Sequence, residues 1–212
     1  MHNQQGQDGA RQLFQFEKIL AESCGFSKTR FHRVGSGRWQ GIYCQITEKF
    51  ADKTRTWKNG LHWANTNGYS PKAMEELQGC FSADPENWFR LLPEMLPESG
   101  DGMVYFLLDL GGDWYSGENF WLFEVGVPEL VKALDVLNKN HFLGLGWPDY
   151  YIASKKFDWI IGYNHHDIAS IIGKGVAVPE DPAAFLSKTA QSCQREGFSQ
   201  LVTEGDFATC GP

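Results

Sequence analysis

The stretch "DYYIASKKFDWIIGYNHHDIASIIG", residues 149–173, limits the possible folds more than any other part of the chain. It holds three strand-like apolar runs separated only by "SKK" and "YNH", and connections that short cannot carry a parallel crossover, so the three runs form an antiparallel meander. Upstream, "MVYFLLDL" and "NFWLFEVG" are short, aromatic-rich and bracketed by Gly, Asp and Ser, the composition of two strands paired as a hairpin.

Helical signals surround these runs. Leu13, Phe16, Ile19 and Leu20 recur at helical spacing and stop at Gly25. Trp39, Ile42, Tyr43, Ile46 and Phe50 mark one face of a second helix, preceded by a short strand or extended piece around Phe31 and Val34. "SPKAMEELQG" offers Ser70 as N-cap, Pro71 at the first helical position and Gly79 as the stop. "DPENWFRLLPEML" starts in the same way and is bent or ended by Pro93. "VPELVKALDVLN" turns Leu130, Leu134 and Leu137 to one side, and "DPAAFLSKTAQSCQREG" is a last capped helix. Helices first, strands later and helices flanking them predict an α+β fold: an antiparallel sheet, hairpin plus three-strand meander, covered by helices on one face. No Pro, Gly or Ser linker divides the 212 residues, so a single domain over 1–212 is expected, with 1–10 and 200–212 loose.

Net charge is −7, but it is unevenly spread. Residues 28–58 carry eight basic residues against two acids, and residues 75–135 carry thirteen acids against two bases. The acidic segment reads as a docking face for a basic protein partner, or more simply as a solvated surface that keeps the protein in solution. A chain this acidic is a poor general nucleic-acid binder. The opening "MHNQQGQDGA" lacks the basic start and apolar core of a signal peptide, and no apolar run approaches the ~18 residues of a membrane span. A cytoplasmic protein is expected, with its five cysteines reduced and mostly buried.

Candidate chemistry is sparse. His165, His166 and Asp167 invite a metal reading, but neighbouring residues on a strand face opposite ways, and His32, His62 and His141 lack ligand spacing, so no metal or other cofactor is expected. The segment reads instead as a turn between two strands. There is no GxSxG and no cysteine in a nucleophile motif. "GSG" at 35–37, ahead of a helix, is a turn plus N-cap; it could also hold an anion on backbone N–H groups, with His32, Arg33 and Arg38 as the side chains of an alternative anion site. Asp109, Asp113, Glu118 and Glu124 could serve in pairs as acid and base, or with Trp114 as the partner-binding set; their plain reading is a solvated hairpin loop.

The "FWLFE" strand, the "YYIASKKFDW" hairpin and the "NHHD" turn, about a third of the chain, resemble the strand meander of small bacterial α+β proteins similar to SUKH-type immunity proteins of polymorphic toxin systems. That resemblance implies a non-enzymatic protein that binds a partner, in some cases a toxin that it neutralises, and it carries over no catalytic residue. The leading expectation is therefore an intracellular binding protein that uses its acidic segment against a basic partner. The alternative is a hydrolase or phosphate-handling enzyme with its site near the basic segment 28–58, and it demands that His32, Arg33 and Arg38 face a shared cleft with an acid or histidine from the meander. A structural protein with no site is the third.

Overall fold

The computed structural model describes residues 16–22, 25–27, 29–52, 69–84, 87–97, 102–109, 120–139, 149–164 and 167–178. Helix α1 covers residues 16–22 and leads to strand β1, Phe31–Arg33. Helix α2 is Ser36–Phe50 and α3 is Pro71–Met74, followed by β2, Leu77–Ser82. A 3₁₀ turn at Trp88–Leu91 runs into α4, Leu92–Met95. The hairpin β3, Met103–Asp109, and β4, Phe120–Gly126, precedes α5, Val127–Lys139. The meander closes the fold as β5, Asp149–Ser154, β6, Trp159–Tyr163, and β7, Ile168–Gly173.

The seven strands of the described residues form one antiparallel sheet in the order β1-β4-β3-β5-β6-β7-β2. The expected hairpin and meander are both present and are joined by β3 against β5. Two strands flank them. β1 adds to the hairpin side, and β2 adds to β7 where the sequence had suggested helix as far as Gly79. Ser70 does cap α3, its Oγ accepting from the Ala73 N–H at 3.1 Å. The helix ends at Met74 because Leu77 then pairs with Ile172 and Cys80 with Ser170, and the ladder bonds replace helical ones. Pro93 sits in the first turn of α4, where its missing N–H costs nothing, so it starts a helix instead of ending one.

Helices cover both faces of the sheet, not one. On the first face, Phe106, Phe123, Ile152, Ile161 and Ile171 pack under α1, α4 and α5, with Leu130, Leu134 and Leu137 buried as their spacing predicted. On the second, Leu107, Leu122, Tyr151, Ile160 and Ile172 pack under Ile42, Tyr43, Ile46 and Phe50 of α2 and Ala73 of α3. Strands β5 and β6 are buried at every position. A strand enclosed on both sides has no need of polar alternation, so "DYYIAS" and "WIIGY" read as continuous apolar runs. Two cysteines lie in described segments: Cys44 is exposed on α2, against the expectation of burial, and Cys80 is half-buried on β2. The capped helix expected after residue 181 lies outside the described residues.

Candidate functional site

The ladder places polar residues in one row at the hairpin side of the second face. His32 on β1 stands opposite Glu124 on β4, Tyr105 on β3 stands opposite the same Glu124, and Ala153 on β5 stands opposite Tyr105. Residues directly opposite in a sheet share a face, so His32, Glu124 and Tyr105 are side by side. The N-terminal turn of α2 lies at the end of this row because Val34 N–H donates to the Leu122 carbonyl, 2.9 Å, and anchors the approach to the helix.

Three basic side chains from three elements meet on Glu124. Arg38, in the first turn of α2, donates from Nη2 to Oε2 at 3.2 Å. His32 Nε2 is 3.5 Å from the same oxygen. Lys155, in the β5–β6 turn, donates from Nζ to Oε1 at 2.5 Å. The Glu124 side chain is only 9% exposed, while Arg38, His32 and Lys155 are 63%, 37% and 33% exposed. One carboxylate therefore sits beneath basic side chains that continue outward to solvent. Burial alone would raise the Glu124 carboxyl, but the hydrogen bond and charge of Lys155 and the charge of Arg38 outweigh it and hold the group below its ordinary 4.5. The His32 nitrogen facing the carboxylate is Nε2, which must carry the proton in any hydrogen bond between them, and Nδ1 is buried with no hydrogen-bond partner among the described residues.

The turn that delivers Lys155 is tightly built. Phe157 N–H donates to the Ser154 carbonyl at 3.0 Å, Asp158 N–H donates to Ser154 Oγ at 3.0 Å, and that hydroxyl also meets the Asp158 carboxylate. Phe157 has φ 57°, a left-handed conformation that a bulky side chain seldom adopts. Its ring stacks on Tyr105 with centroids 5.7 Å apart and planes 18° apart. The same five-residue turn thus places a cation on Glu124 and an aromatic ring on the neighbour of Glu124.

The residues singled out from sequence separate clearly. His32 and Arg38 of the anion set converge, and they converge on Glu124 of the partner-binding set. Arg33 is exposed and, one residue along β1 from His32, shares the opposite face with Phe31. Asp109 ends β3, paired with Phe120 and Asp149, while Asp113, Trp114 and Glu118 lie outside the described residues. The two oppositely charged segments also pair with each other: Arg30 Nε lies 3.5 Å from Glu129 Oε2, in addition to His32 and Arg38 on Glu124. Part of the acidic segment is thereby neutralised within the molecule. Lys155, Tyr105 and Phe157 were not candidates, because only the strand register brings them to Glu124.

A second polar group lies at the other end of the meander, in the turn read from "NHHD". Tyr163 OH donates to Asp167 Oδ1 at 2.7 Å, and Ile168 N–H donates to Asn164 Oδ1 at 3.1 Å. Tyr163 stacks on Tyr150 at 4.8 Å, and Trp88 Nε1 donates to Tyr150 OH at 3.1 Å. Burial, Tyr150 and Asp167 all push the Tyr163 phenol up, and it stays protonated. His165 and His166 lie outside the described residues, among which no three His, Cys, Asp or Glu side chains group as a metal site would require. Among the described residues, no helix is long and apolar enough to cross a membrane.

No curated protein and no solved structure is detectably similar to the chain. A family profile does match, over residues 15–179, a span that contains every element from α1 to β7. The chain belongs to that family, the Family of unknown function (DUF6756).

Proposed function

We propose that the chain is a binding protein for an anionic group, phosphate or carboxylate, and that its receptor is the corner formed by His32, Arg38 and Lys155 over Glu124. The observation that carries this reading is the convergence of three basic side chains from β1, α2 and the β5–β6 turn on one buried carboxylate. Glu124 compensates one charge and fixes the geometry of its partners. Arg38 uses one arm of its guanidinium on Glu124, and its side chain is 63% exposed. Basic side chains held in place by a buried carboxylate are what anion recognition requires, and the ordering entropy has already been met on folding.

This reading develops the alternative that placed a phosphate-handling site near residues 28–58. The toxin-neutralising role rests instead on the charge distribution and on the resemblance to SUKH-type proteins, with Asp109, Asp113, Trp114 and Glu118 as its residues; Glu124 supports it least, since its oxygens already serve three partners.

The two roles demand ligands of opposite sign. Fluorescence anisotropy with labelled hexaglutamate and hexalysine peptides at low salt separates them. Hexaglutamate binding that weakens at least fivefold in both Arg38→Gln and Lys155→Gln supports the anion corner. Hexalysine binding with none for hexaglutamate overturns it.

A further inference from the structure

The geometry points to a more specific ligand class for the same corner: a nucleoside phosphate, its phosphate on Arg38 and Lys155 and its base on the ring of Phe157. This inference rests on the anion reading and adds a second observation to it. Phe157 is the bulkiest kind of residue to find at φ 57°, where a glycine or asparagine would be at ease. A left-handed phenylalanine is strained, and asparagine or glycine would hold the same backbone more easily, so what distinguishes Phe157 at this position is its ring. Within the molecule it contributes one face to Tyr105. Phe157 is only partly buried.

The placement of that ring is what selects the ligand. Phe157 lies two residues from Lys155 in a turn closed by Ser154, and the ring it covers, Tyr105, is the ladder neighbour of Glu124. Cations and an aromatic platform therefore share one corner of the second face. A bare oxyanion would use only the cations. An apolar ring would use only Phe157. A ligand with a charged phosphate and a flat base uses both, through charge-assisted hydrogen bonds and base–aromatic stacking.

The test compares three probes on the intact chain by calorimetry and by ¹H–¹⁵N chemical-shift mapping: AMP, inorganic phosphate and adenosine. AMP is expected to bind about tenfold or more tighter than phosphate, with shifts at Arg38, Lys155 and Phe157. Phe157→Asn, which suits the left-handed position, should reduce AMP affinity to that of phosphate while phosphate binding is unchanged; Phe157→Gly, which accepts the same backbone, repeats the test. Lys155→Gln should weaken both anions. If AMP binds no tighter than phosphate, or if Phe157→Asn keeps the full AMP advantage, the nucleoside inference fails and the anion corner stands. If neither anion binds and hexaglutamate also fails, the anion reading falls with it.

Discussion

The two turns of the meander share one hydrogen-bond pattern and differ in what stands at its left-handed position, Phe157 in the first and Asp167 in the second. In the first, the Ser154 carbonyl accepts from the N–H of residue 157 and the Ser154 side chain accepts from the N–H of residue 158. In the second, ten residues on, the Asn164 carbonyl accepts from the N–H of residue 167 and the Asn164 side chain accepts from the N–H of residue 168. Residues 157 and 167 occupy the left-handed region at φ 57° and 58°. Glycine is the usual occupant of such a position. Asp167 tolerates it and accepts the Tyr163 hydroxyl, so local chemistry accounts for the second turn. Phe157 has no such compensation in its own backbone, and its return is a ring laid on Tyr105 beside Glu124. One turn is built for stability; the other accepts strain where the polar corner lies.

The comparison is broken most severely at Gly173, the end of β7. With φ 101°, it has its missing Cβ position 2.2 Å from the Asp158 carbonyl and 2.6 Å from Trp159 Cα, so a methyl group there collides with the backbone that closes the first turn. Gly173→Ala should cost about 4 kcal/mol, combining strain with overpacking against atoms that cannot move aside. Urea denaturation measures it, and a loss below 1 kcal/mol would mean that the first turn yields easily.

Next comes the second turn. Asp167→Ala loses both the left-handed tolerance and the acceptor for Tyr163, for about 3 kcal/mol in total. Asp167→Asn keeps both and should remain within about 1 kcal/mol of the parent. Equal losses in the two variants would show that the negative charge, not the turn geometry, holds this end together.

How much of this was legible in the sequence follows the same division. The hairpin, the meander and the "NHHD" turn were visible because connection length and turn residues are local signals. The two-sided cover was visible in principle: "WIIGY" and "IASIIG" lack the alternation of a half-exposed strand, and weighing that would have placed helices on both faces. β2 was hidden because "KAMEELQ" is a good helical sequence, and only its pairing with β7 overrides it. In the corner, His32 and Arg38 carried a signal through the nearby "GSG" and local charge. Lys155 and Phe157 carried none, since their partners Glu124 and Tyr105 lie 31 and 52 residues away in the chain.

Glu124→Gln tests the corner directly. Removing the charge leaves Arg38 and Lys155 facing each other without their counter-ion, and a loss of about 2 kcal/mol is expected, moderated by the exposure of the partners. The pH dependence has a definite sign. The folded Glu124 carboxyl lies below its ordinary 4.5, so the unfolded chain binds the proton more readily. Its contribution is complete above that value and is lost as pH falls from there through the folded pKa. The drop in urea midpoint between pH 7 and pH 3 should therefore be smaller in Glu124→Gln than in the parent; an equal drop would place the acid sensitivity elsewhere.

The smallest effect is the most informative about why the two turns differ. Phe157→Asn puts into the first turn a residue suited to its backbone, much as Asp167 suits the second. Relief of left-handed strain is worth about 1–2 kcal/mol, and the lost stack on Tyr105 costs about 0.5–1.5 kcal/mol. The terms oppose each other, so the net change should lie within about 1 kcal/mol of zero, read as the urea midpoint with an unchanged slope. A loss above 2 kcal/mol would make Phe157 a packing residue whose strain is outweighed by the fold alone. A near-zero change leaves the ring without a stability reason to occupy a position that asparagine fills equally well, which is the outcome that the proposed nucleoside phosphate site predicts.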